Sequence, residues 1–152
     1  MTPPSGWTMT SEMIDDTAKI VTLAPSANVH ASMLMTVTLS PKPQPMMREK
    51  DKAGAVAASQ DFVPTSVEKR AVPRELSVAN SGTGFGYCCI LAEASRVGKP
   101  VEFGQYLMVA MGRIQLRDDV SVAVGMTSDD EQEADFKAMM KSVETAAVTP
   151  AR

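Results

Sequence analysis

Three β-type runs follow one another in the second half of the chain: Phe85 to Ala94, Phe103 to Leu116 and Val120 to Met126. The breaks between them, Arg96-Val97-Gly98-Lys99-Pro100 and Arg117-Asp118-Asp119, have the length and residue types of hairpin loops. Glycine supplies positive φ and aspartate tolerates tight turns, so the runs are expected to fold back on one another as an antiparallel meander. Thr127-Ser128-Asp129-Asp130-Glu131 then opens a helix, whose apolar face must be buried against that meander.

The 152 residues suit one ordinary domain, and 44% hydrophobic residues suffice for its core. The expected class is α+β: a single domain over residues 1–152, with a twisted, mainly antiparallel sheet. Helices near 46–62 and 129–144 are expected on one face, the C-terminal helix closing the fold. Residues 1–6 and 145–152 read as flexible ends. A formal charge of −3 without a basic block gives no support to nucleic-acid binding. No run approaches the roughly eighteen apolar residues of a membrane span. The start lacks the basic and apolar regions of a signal peptide, so the chain as written reads as cytoplasmic, or extracytoplasmic if a leader preceded Met1.

Several elements are readable in order. Trp7 is the first large apolar anchor after a proline-containing lead-in. Thr17 to Leu23 reads as the first strand, stopped at Ala24-Pro25, and Met33, Met35, Val37 and Leu39 alternate as a second. Pro41, Pro43 and Pro45 impose an extended linker. Met46 to Phe62 reads as an alanine-rich helix with Ala53, Val56, Ala57 and Gln60 on one side, and Val67 to Val72 and Leu76 to Ala79 as short extended segments. In the long run the apolar positions are odd at Leu107, Val109 and Met111 but even at Ile114 and Leu116. That change of phase predicts a β-bulge at Gly112. Ser128 with Glu131 has the pattern of a capping box, ahead of Phe136, Met139, Met140 and Val143 at helical spacing.

The chemistry-bearing patterns all have plain structural readings. Gly82-Thr83-Gly84-Phe85-Gly86 lacks the third glycine of a phosphate loop and leads into a strand rather than a helix. Ser66-Val67-Glu68-Lys69 has the serine–lysine spacing of penicillin-recognising enzymes without their companion motifs. Asp118, Asp119, Asp129, Asp130, Glu131 and Glu133 fit a hairpin tip and a helix start better than a cation site. His30 is the only histidine, and Cys88 and Cys89, adjacent on a strand, point to opposite faces and read as inert buried thiols. No cofactor or metal is expected.

Twelve methionines are the compositional oddity. Their flexible, polarizable side chains either fill a core or form an adaptable contact surface. Met33, Met35, Met108 and Met111 are the candidate partner contacts.

The order of elements begins at Pro4-Ser5-Gly6-Trp7, with paired strands ending in Leu34-Met35-Thr36-Val37-Thr38. A proline-led helix, a meander and a closing helix ending Met139-Met140-Lys141-Ser142-Val143 complete it. This layout resembles a small α+β group that includes the photosystem accessory protein PsbP, Ran-binding Mog proteins, DcrB-like bacterial proteins and chaperones of type VI secretion effectors. The resemblance implies a non-enzymatic binding or assembly role. The expected function is therefore protein binding, with a protein partner, a homodimer being one form of it. The alternative is a small-ligand or lipid carrier, which requires an apolar cavity between helix and sheet. Catalysis is the least expected class, because no constellation of converging polar groups is visible.

Overall fold

A computed structural model describes residues 3–26, 31–76, 78, 84–129 and 134–144. One antiparallel sheet of seven strands forms the molecule's frame: β1 (Trp7–Met13), β2 (Ala18–Pro25), β3 (Ser32–Leu39), β4 (Arg74–Leu76), β5 (Phe85–Ala92), β6 (Met108–Arg117) and β7 (Val120–Ser128). Their order is β1-β2-β3-β7-β6-β5-β4. Two meanders, β1 to β3 and β4 to β7, are thus joined by β3 against β7, in a register running from Ser32↔Thr127 to Leu39↔Val120. Between them the chain forms helix α1 (Arg48–Ser59), which continues as a 3₁₀ segment (Gln60–Thr65), and helix α2 (Ala134–Glu144) follows β7.

Alternation along the strands creates two unlike faces. Leu23, Met33, Met35, Cys88, Ile90, Ala110, Ile114, Val122, Val124 and Met126 lie on one face, in a buried cluster that also holds Phe136 and Met139 of α2. Phe85, Tyr87 and Cys89 point the other way and are buried with Ala55 of α1. The two helices therefore contact opposite faces, not one face as the sequence suggested. β5 accounts for this, since Phe85 to Leu91 are all buried and each face needs its own cover.

Contacts of α1 concentrate on β5 and β6. Its inward positions are Ala55 and Ser59, whereas Ala53, Ala57 and Gln60 are exposed. An alanine-rich helix carries little contrast between its sides, so small residues that allow close approach decide which side turns in. Arg48 fastens the start of α1 to the sheet, pairing with Glu75 of β4, donating to the Tyr87 hydroxyl at 3.1 Å and lying 4.9 Å above the Phe85 ring.

Other boundaries move for identifiable reasons. β6 begins at Met108, and Phe103, expected in that strand, sits in the preceding loop and is 86% exposed. The ladder runs unbroken through Cys88↔Gly112↔Val124, and the irregularity falls between Gln115 and Arg117, beside the hairpin. The apparent change of phase arises because Met108, Val109 and Ala110 are all buried: both sides of the strand are covered there. Ser128 ends β7, wholly buried, and its hydroxyl donates to Asp135 of α2 at 3.2 Å; the capping box expected with Glu131 rests on a residue outside the described ones. Residues 67–70 bend rather than extend, and Lys69 has φ 54°. His30, Gly82, Asp130, Glu131, Glu133 and residues 145–152, which the sequence marks, lie outside the described residues. No helix among the described residues is long and apolar enough to cross a membrane.

Candidate functional site

Two surfaces present chemistry that the fold itself does not consume. The first is a cleft of about 550 Å³ between the first half of α1 and the sheet. Its outer wall is the proline-held strap from Ser40 to Pro45, pinned to the β6–β7 hairpin where Ser40 N–H donates to the Asp119 carbonyl and Gln44 N–H to the Asp118 carbonyl, each at 2.7 Å. Lys50, Asp51 and Gly54 line it from α1, and Arg113 and Gln115 from β6.

Gly54 has a steric reason. A Cβ there would lie 3.1 Å from Cγ of Arg113, so the bare backbone lets that side chain lie beneath the helix. Among the described residues no hydrogen bond or ion pair engages the Arg113 guanidinium, while burial pushes the Asp51 carboxyl up against the opposing pull of Lys50 and Arg113. Asp119 is different. A two-point contact from Arg117, both bonds 2.7 Å, holds its carboxyl below the usual range. The cleft is thus open to solvent and has charged groups on its walls, unlike the enclosed apolar cavity that a lipid carrier needs.

The second surface is the free edge of β1. Trp7 is legible in the sequence as an anchor but the strand that it begins is not, although Trp7, Met9, Ser11 and Met13 alternate with Thr8, Thr10 and Glu12. Trp7 does pack against the main core. Beyond it every residue of β1 is exposed, including Met9 at 46% and Met13 at 57%.

Hydrogen bonding fixes which groups face outward. Ser26 N–H donates to the Gly6 carbonyl and Ile14 N–H to the Ala18 carbonyl, each at 2.9 Å. Such pairs recur at every second residue of an antiparallel ladder, so Thr8, Thr10 and Glu12 bond to β2. Trp7, Met9, Ser11 and Met13 turn their N–H and C=O groups to the edge. The Trp7 amide is already used, donating to the Pro4 carbonyl at 3.1 Å. Those of Met9, Ser11 and Met13 have no partner among the described residues.

Edges of this kind are usually blunted by proline, lysine, a bulge or shortness. β4, the other edge, has only three residues, with Arg74 and Glu75 among them. β1 has seven and a regular register, and Glu12 is its one charge.

The four methionines singled out from sequence lie elsewhere. Met33, Met35 and Met108 are interior residues of the main core, so a partner could touch them only if they left it. Met111 is half-buried on the α1 side. Cys88 and Cys89 are free, buried and on opposite faces, and burial pushes the Cys89 thiol up. The Ser66 hydroxyl donates to the Val63 carbonyl while the Lys69 amine reaches the Pro64 carbonyl at 3.0 Å, so the two do not form a nucleophile–base pair. Among the described residues no group of three or more histidine, cysteine or acidic side chains is placed to hold a metal. The chain matches no protein-family model, no curated protein and no solved structure.

Proposed function

We propose that this chain is a non-enzymatic protein-binding module that takes up a partner by strand addition along β1. The carrying observation is the seven-residue edge whose outward amides at Met9, Ser11 and Met13 have no partner among the described residues. Main-chain hydrogen bonds supply affinity in strand addition, and side chains at alternate positions supply specificity. Met9 and Met13 provide the adaptable apolar contact that sequence reading assigned to Met33, Met35, Met108 and Met111. The layout resemblance to binding and assembly proteins points the same way.

Ser11→Pro tests the reading. It deletes one outward N–H on an edge strand, where proline is tolerated. Affinity capture with the wild type should return a recurrent partner that Ser11→Pro loses while its melting temperature stays within a few degrees. Equal capture by both proteins would refute strand addition at β1.

The cleft favours a second reading, a carrier of small polar ligands bearing a carboxylate for Arg113. A co-purified small molecule in native mass spectrometry, absent from Arg113→Ala, would support it. No bound molecule, and no calorimetric signal with a panel of small carboxylates, would rule it out.

A further inference from the structure

From the geometry of the free edge we infer that the occupant of β1 is β1 of a second copy of this chain, paired antiparallel about a two-fold axis at Ser11. The inference rests on the strand-addition reading and adds the partner and the register. A symmetric antiparallel pair must match residues whose numbers sum to a constant, and outward groups must meet outward groups. Axes at Met9, Thr10, Ser11 or Glu12 meet both conditions, since each matches odd residues with odd, but an axis at Glu12 would set that carboxylate directly against its own copy and Met9 against Asp15, beyond the strand.

The turn before β1 separates these possibilities. Because the Trp7 amide is held by Pro4, an axis at Thr10 would set Met13 against a residue whose N–H is spent. An axis at Met9 would do the same to Ser11 and would leave Met13 beyond the strand's start. An axis at Ser11 uses the unpaired set and no other group: Met9 faces Met13 of the second copy, Ser11 faces its own counterpart, and Met13 faces Met9.

Side chains agree with this register. Met9 and Met13, about half exposed in one chain, become cross-strand neighbours on the side continuous with Leu23 and Val21. Such neighbours stabilise a sheet when both are apolar. On the opposite side Glu12 faces Thr10, so the strand's single charge does not meet its own copy. Asp15 also stays out of the ladder, because its carboxylate accepts from Thr17 N–H at 2.7 Å and Ala18 N–H at 2.9 Å within the β1–β2 turn.

Site-directed crosslinking reads the register directly. Opposed residues in a hydrogen-bonded pair have Cα atoms about 5.5 Å apart, inside the range that a disulfide spans. Ser11→Cys should therefore form a covalent dimer under mild oxidation. Thr10→Cys, diagonal to its copy, and Met9→Cys, farther still, should crosslink poorly. The wild type is the blank, its two thiols being buried.

Analytical ultracentrifugation supplies the equilibrium counterpart. The wild type and Ser11→Ala should be dimers, and Ser11→Pro should dissociate roughly tenfold or more readily through lost main-chain bonds. More efficient crosslinking at Thr10 or Met9 than at Ser11 would overturn the register. A monomeric wild type with an uncrosslinked Ser11→Cys would overturn self-pairing. If Ser11→Pro still lost a captured foreign partner in that case, the strand-addition reading would stand alone.

Discussion

At the scale of single residues, Gly112 shows how a correct observation can have a different cause. The sequence marks it as the point where apolar positions change phase, and a bulge is the ordinary reason for such a change. What Gly112 does in the sheet is make room. A Cβ would lie 2.8 Å from the Tyr87 carbonyl oxygen and 2.8 Å from Cγ1 of Val124. The carbonyl belongs to the neighbouring strand's backbone and has little freedom to retreat. Gly112→Ala should therefore cost about 1–3 kcal/mol, the range for overpacking a well-packed core. Gly125→Ala is the matched control, since its Cβ would meet the Met111 sulfur at 3.5 Å and methyl carbon at 3.8 Å, the end of a flexible side chain. Thermal unfolding should show a drop of several degrees for the first and little change for the second. Similar melting temperatures would show that the strands accommodate the methyl group.

At the scale of elements, legibility follows how far a strand is buried on one side only. β7 is read almost to the residue, because Val120, Val122, Val124 and Met126 are buried and the residues between are half-exposed. β3 is equally plain through Met33 and Met35. β1 is hard to see in the sequence because its alternation is Trp, Thr, Met, Thr, Ser, Glu, Met, with one side exposed beyond Trp7 and the other threonine-rich. Period two is present there without the burial contrast that makes it visible. The turn of α1 is also hidden from the sequence, since Gly54, Ala55 and Ser59 face the sheet by virtue of being small, which a hydrophobicity pattern does not register. Of the cleft, only the proline strap and the Asp118-Asp119 tip were legible. The meeting of Arg113 with α1 depends on a strand and a helix far apart in sequence, and no local pattern encodes that.

At the scale of the whole molecule, the arrangement is asymmetric about the β3–β7 seam. The β4–β7 half has α1 on one face and a short, charged terminal strand, while the β1–β3 half ends in an open edge and carries exposed Leu34 on the α1 side. The methionines divide by depth and not by half: Met33, Met35, Met126 and Met139 are sealed in the core, and Met9 and Met13 stand at the edge. To a mild oxidant this chain therefore holds two pools of thioether. Hydrogen peroxide should convert Met9, Met13 and exposed Met47 to sulfoxides well before the sealed group, as exposure governs the rate. Peptide mass spectrometry over a peroxide time course would show the order, and simultaneous loss in both pools would contradict it. A sulfoxide places a polar, chiral centre where a soft apolar one stood, so oxidative stress would disable the rim of the sheet and leave its interior folded. Methionine sulfoxide reductases would have access to the same two side chains and could restore them.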